Sequence, residues 1–191
     1  SEGIKHFETH WEGIPAQKLL ESSIFYDLIV IGLETFFHFE TRGEEGDSLS
    51  ELLDRTVTPV LAVPSDGISK FDRALIAFDG SLSSGRALQD FSRFAQPFDF
   101  EVTVFVADKP KREADFLLRE AEAFLHSHGI HNIVLEQEIN PIEISLPAPY
   151  LDSFDLVVAG IHSKHIIKDF FVGSFTKTLI ERKNTPLFLS H

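Results

Sequence analysis

Cysteine and methionine are both absent from the 191 residues. Without cysteine there are no disulfides and no thiolate metal sites, which fits a cytoplasmic protein. Without methionine, a chain that begins at Ser1 shows no natural start, so its N-terminus reads as incomplete. Basic residues are also scarce. Seventeen Lys and Arg against 30 Asp and Glu give a formal net charge of −13. A nucleic-acid surface needs concentrated Lys and Arg, so that class of partner is excluded, while a local basic pocket for a small anion is not. Long apolar runs are missing as well, and none reaches the length that crosses a bilayer. The opening SEGIKHFETH has neither the basic start nor the apolar middle of a signal peptide. What is there is an ordinary globular composition, 43% hydrophobic and 25% charged, enough for one large or two small domains.

The chain repeats itself. Asp27–Gly32 reads DLIVIG and Asp155–Gly160 reads DLVVAG; Thr58–Val60 reads TPV and Thr185–Leu187 reads TPL. The offset is 128 positions for the first pair and 127 for the second. Two matches in order at nearly one offset point to a duplicated unit with one inserted residue. The expected division is a partial copy over 1–66 and a complete copy over 67–191, joined by Ser65–Asp72.

In the complete copy, Arg73–Phe78 is an apolar strand ending at the turn signal Asp79-Gly80-Ser81. Ser84 opens a helix that Pro97 stops, and Glu101–Ala107 is a β-branched strand. Lys111–His128 carries an apolar helical stripe with Gly129 at its C-terminal end. Asn132–Ile139 and Asp155–Ala159 are strands, Asn140–Phe154 a short or irregular helix broken by prolines, Ser174–Lys183 a helix and Pro186–Ser190 a last strand. Unbroken apolar strands alternating with helices predict an α/β fold, an open and mostly parallel five-stranded sheet with helices on both faces. The first copy holds only the back half of this plan. Ile4–Trp11 is strand-like, Pro15–Ser22 helical, Asp27–Ile31 a strand, Ser48–Arg55 helical and Val60–Val63 a final strand.

The chemistry lies in Gly160–Ser174, GIHSKHIIKDFFVGS. A strand ends at Gly160, which lets the backbone approach a ligand closely. Ser174 can cap the helix that follows, and the first turn of that helix offers unpaired N–H groups at the positive end of its dipole. Lys164 and Lys168 would add charge to an anion site there. The alternative is a plain strand–loop–helix connection with a capping serine, and spacing by itself leaves both open.

Phe71–His191 resembles a universal stress protein domain throughout its length. ALIAFDGSLSSGRAL resembles the family's first strand, Asp-bearing turn and first helix. Gly160, two residues, Ser163, nine residues, then Gly173-Ser174 resembles its nucleotide motif, with Ser163 in place of the second glycine. The resemblance implies an adenine-nucleotide alpha-hydrolase-like fold and a site for ATP or a related adenine nucleotide, with Mg2+. It implies Asp79 at the adenosine end and the backbone at Val106 and Ala107 beside the adenine. Gly160, Ser163, Lys164, Gly173, Ser174 and the adjoining Phe175 would lie at the phosphates. It further implies that the halves pair through their last strands, Val60–Val63 antiparallel to Leu187–Ser190, as a pseudo-dimer, with a homodimer also open. In the first copy the Gly-Ser position falls on Gly46-Asp47 beside Glu44 and Glu45. These carboxylates suit a helix N-terminus by themselves and repel phosphate, so that half reads as unable to bind nucleotide.

Nine histidines, among them His128, His131, His162 and His165, show no recurrent ligand spacing, so no metal site is expected. Phe36, Phe37 and Phe39 form an apolar cluster in the first copy's loop. No nucleophile stands beside a general base, so no catalytic residue is assigned, and slow ATP hydrolysis is the most expected. Two readings stand: a cytoplasmic stress-response or regulatory protein that binds nucleotide, and an interaction scaffold of the same fold with a vestigial motif.

Overall fold

The computed structural model describes residues 5–13, 15–33, 52–53, 55–161 and 174–191. Helix α1 (Pro15–Ser23) leads to strands β1 (Ile29–Gly32) and β2 (Val60–Val63). The second half runs β3 (Arg73–Ala77), α2 (Leu82–Phe94), β4 (Glu101–Ala107), α3 (Lys111–Ser127) and β5 (Ile133–Glu138). It continues through α4 (Ile142–Ser145), α5 (Ala148–Leu151), β6 (Leu156–Gly160), α6 (Ser174–Arg182) and β7 (Leu187–Ser190). All strands join one seven-stranded sheet in the order β1-β2-β7-β6-β3-β4-β5. The five expected strands are β3 to β7, all parallel to one another, and the first half adds two more.

Apolar residues on successive strand positions serve both faces. Ile76, Val104 and Val158 point into a core under α2 and α3 with Phe91, Leu118 and Leu125. Leu75, Phe105 and Val157 point into a second core with Leu151, Phe154 and Leu179. Phe71, Phe91, Phe94, Phe100 and Phe188 belong to the first core or pack against it, with the exposed Phe98 at its rim, and these rings contact one another edge-on or tilted. α3 ends as the sequence indicates. Gly129 takes φ +82, its N–H bonds the His126 carbonyl, and the Ile130 N–H bonds that of Leu125. This double bond satisfies two orphan carbonyls and needs a residue that tolerates the left-handed region. α2 starts earlier than expected, because Ser81 rather than Ser84 is its N-cap.

The two repeated segments pair in the same register. Ile29 faces Val60 as Val157 faces Leu187, and Gly32 faces Val63 as Gly160 faces Ser190. Flanking bonds repeat too: Ile29 N–H to Pro59 and Val157 N–H to Pro186, both 3.0 Å, then Leu33 N–H to Val63 and Ile161 N–H to Ser190, both 2.7 Å. β2 runs antiparallel to β7, with Leu61 opposite Phe188, Val60 opposite Leu189 and Ala62 opposite Leu187. Leu61 and Phe188 are counterparts in the repeat, so each half presents the same strand to the other about a local two-fold. One expectation fails. Residues 5–12 form no strand, and Phe7 is 92% exposed. Their counterpart β5 is held by β4. No counterpart of β4 stands among the described residues of the first half, and an isolated strand has nothing to bond. The Ser48–Arg55 helix lies partly outside the described residues, though Leu52 and Leu53 are helical and buried.

Tyr150 on α5 donates its hydroxyl to Glu136 on β5. Burial first, and then this bond, hold the hydroxyl well above the ordinary tyrosine range. The folded state therefore keeps a proton that the unfolded chain releases at about pH 10. The stabilisation is full below that pH and declines as pH rises toward the folded value. Urea midpoints are expected to fall between pH 8 and pH 11, and Tyr150→Phe is expected to make that fall shallower.

Candidate functional site

The carboxyl ends of β3, β4 and β6 open a crevice of about 370 Å³. It stands where the chain leaves β3 for β4 on one side and later returns to β6 on the other. Parallel sheets hold ligands at that reversal of strand order. Ala77, Ala107 and Ala159 line it, and their short side chains leave the space. Asp79 and Asp108 line it from the turns after β3 and β4, Ile142 from α4, and Phe175 and Thr176 from the first turn of α6.

The N-terminus of α2 forms one wall. Asp79 Oδ1 accepts the Ser81 N–H at 2.9 Å, which fixes the turn. Ser81 Oγ in turn accepts the Ser84 N–H at 3.2 Å, so this helix is capped by its own serine. The hydroxyls of Ser83 and Ser84 lie 3.2 and 3.3 Å from that of Ser81. This turn rests directly on Gly160. A Cβ there would lie 2.5 Å from Ser83 C, 2.5 Å from Ser84 N and 2.8 Å from Ser83 O. The bare side of Gly160 is thus filled by helix backbone, which gives this glycine a packing duty besides the one inferred from the sequence.

Charge in the crevice is mixed. Asp79 and Asp108 contribute carboxylates; Lys109 is the basic side chain among the described lining residues, and it pairs with Glu113 at 3.2 Å. Asp108 takes φ 54, a left-handed backbone that carries its N–H to Glu138 O at 3.2 Å. An anion would therefore draw mainly on the N–H groups and dipole of α6, which opens at Ser174 beside the crevice.

Of the residues singled out in the sequence, the fold brings Asp79, Ala107, Gly160 and Phe175 together around this space. The Val106 side chain is fully buried in the core beneath α3, because alternation along β4 sends Val102, Val104 and Val106 to that face, while its backbone, the part expected beside the adenine, adjoins the lining residue Ala107. Ser174 begins α6. Ser163, Lys164, Lys168 and Gly173 lie outside the described residues, as do His162, His165, the Phe36, Phe37 and Phe39 cluster and the acidic segment at Glu44–Asp47. Asp108, Ile142 and Thr176 are lining residues that sequence reasoning missed. Three strands each presenting an alanine at the carboxyl end was the available signal for the space itself. Among the described residues no three His, Asp or Glu side chains converge as a metal site would require, and no helix is long and apolar enough to cross a membrane.

No protein-family model and no curated protein sequence matches the chain. Solved structures do. A universal stress protein from Archaeoglobus fulgidus superposes with a TM-score of 0.67 at 22% identity, over 92% of this chain and 64% of that one. A universal stress protein described as putative, from Pseudomonas aeruginosa, gives 0.61 at 16% identity, over 94% of this chain and 69% of its own length. A universal stress protein in complex with cAMP gives 0.53 at 19% identity, over 64% of this chain and 99% of its own. The chain thus has the fold of universal stress proteins, and it spans 64% of the length of the Archaeoglobus protein.

Proposed function

We propose that this chain is a stress-response or regulatory protein of the cytoplasm whose second half binds ATP or a related adenine nucleotide, with Mg2+ arriving on the triphosphate. The observation that carries the reading is the crevice at the reversal of strand order, walled by small residues and open to the first turn of α6. About 370 Å³ falls within the range of small-molecule sites. That a protein of the same fold has been solved in complex with cAMP adds support. The adenosine end would lie toward Asp79 and Ala107, and the phosphates toward Gly160, Phe175 and the Ser163–Ser174 loop end. The shared register of the two halves supports a further part of the reading, a degenerate copy over 1–66 and a complete one over 67–191 joined as a pseudo-dimer through β2 and β7. With no nucleophile–base pair assigned, ligand binding rather than turnover is the expected output.

A scaffold that binds no nucleotide is the second reading, and one observation favours it: the space beside Gly160 is taken by the α2 backbone. Calorimetry separates the two. Wild type is expected to bind ATP more tightly than AMP. Gly173→Asp combined with Ser174→Ala is expected to weaken ATP about 100-fold by placing a carboxylate at the helix N-terminus and removing a hydroxyl. Equal ATP affinity in the double variant would sink the assignment of the phosphate end, and no binding by folded wild type would favour the scaffold.

A further inference from the structure

Three histidines gather where α3 ends and the chain enters β5: His126 in the last turn, His128 at the C-cap and His131 just ahead of the strand. The turn at Gly129 reverses the chain there, and it sets His126 Nδ1 3.0 Å from His131 Nδ1. The two ring planes are 27° from parallel. As a hydrogen bond between neutral rings, this contact needs one ring to carry its proton on Nδ1 and the other to carry it on Nε2. His128 is engaged elsewhere. Its Nδ1 lies 2.9 Å from Phe124 O, and since a carbonyl only accepts, that nitrogen is the donor. The other ring nitrogen of His126, Nε2, lies 3.9 Å from Glu122 Oε1, one turn back on α3. His126 and His131 are both exposed, and they stand at the negative end of the dipole of a 17-residue helix.

We propose that His126 and His131 form a two-imidazole site for a divalent transition-metal ion, Cu2+ first among them, which takes the place of the shared proton. Two nitrogens held about 2.05 Å from one ion and at right angles to each other are about 2.9 Å apart. The observed 3.0 Å therefore asks the two exposed rings to turn toward the ion while the chain stays where it is. Binding moves the shared proton to the Nε2 atom of its own ring, so a neutral pair releases none. The Nε2–H of His126 then faces Glu122, the carboxylate–histidine arrangement that orients a metal-bound imidazole. The dipole of α3 and the net charge of −13 both favour an added cation at this end of the helix. A closed site of three or more ligands is absent among the described residues. A pair suits Cu2+ better than structural zinc, because tetragonal copper accepts nitrogen and oxygen ligands together and water fills its remaining positions. Cu2+ also heads the affinity order for such ligands. The bound ion would clip the end of α3 to the start of β5, at the opposite end of the sheet from the crevice, so this site is independent of the nucleotide reading.

The test is a calorimetric titration of the full chain with Cu2+ at neutral pH, with glycine present as a weak competitor that keeps lone histidines empty. Glu122→Gln leaves both ligands in place and is expected to weaken the tightest site about tenfold, the effect of a lost outer partner. His126→Ala and His131→Ala each remove a ligand and are expected to weaken it further, by at least about 100-fold. His128→Ala is expected to leave the affinity unchanged, because that ring is turned to Phe124 O. All four side chains reach solvent, so the variants are expected to fold, and thermal midpoints check that they do. In amide NMR spectra of wild type, a small fraction of an equivalent of Cu2+ is expected to broaden the signals around His126 and His131 first. Unchanged affinity in either of those two variants overturns the proposal, as does a wild type with no site that outcompetes glycine. Broadening centred on other histidines, such as His6 and His10, overturns it too, and the contact at the end of α3 is then a hydrogen bond and nothing more.

Discussion

Replacing Gly160 by alanine is expected to destabilise the fold by about 3 kcal/mol, the upper end of what an overpacked core position costs. The added methyl would meet Ser83 C and Ser84 N at 2.5 Å. Neither atom can rotate aside as the tip of a side chain would, so relief requires moving the first turn of α2 away from β6. Denaturant midpoints measure the effect. Gly85→Ala on the same helix is the control. No heavy atom lies within 4 Å of its added Cβ, so that variant is expected to be unchanged or stabilised by about 0.5–1 kcal/mol. A loss under about 1 kcal/mol for Gly160→Ala would mean that α2 does not sit on β6 as described.

Ala107→Trp is expected to abolish nucleotide binding while leaving the thermal midpoint nearly unchanged. Ala107 is half-buried at the last position of β4, with its side chain on the crevice rather than in the core beneath α3. An indole placed there would occupy much of a space of about 370 Å³. The expected fall in ATP affinity is at least about 100-fold, because steric exclusion acts on base and ribose together. Calorimetry on the folded variant reads it. Retained affinity would show that nucleotide, if bound, sits elsewhere.

Much of the architecture was legible because its signals are local. Apolar strands ending in Gly or Asp, a stripe of Ala114, Leu118, Ala121 and Leu125, and Gly129 after it are each read within one element. The pairing of β2 with β7 came from the family resemblance rather than from any residue pattern, and the antiparallel register of Leu61 opposite Phe188 agrees with it. The strand expected over Ile4–Trp11 is absent at the described residues 5–11 for the complementary reason. Their alternation resembles a strand, but a strand forms only beside a neighbour, and local pattern does not report whether one is there. Of the residues lining the crevice, Gly160 was singled out by its place at a strand end, whereas Asp79, Ala107 and Phe175 were named through the family resemblance. Ile142 and Thr176 were not, since their place in the crevice depends on how α4 and α6 pack against β4 and β6. The packing duty of Gly160 was likewise invisible, because the clashing atoms belong to Ser83 and Ser84, more than seventy positions away.

The most direct measurement is a backbone-amide NMR titration of the whole chain with ATP. The account expects saturable shifts confined to Asp79, Ala107, Asp108, Phe175 and their neighbours at the carboxyl ends of β3, β4 and β6, with β1 and β2 unmoved. Folded protein whose spectrum does not change, or shifts centred on the first half, would contradict it.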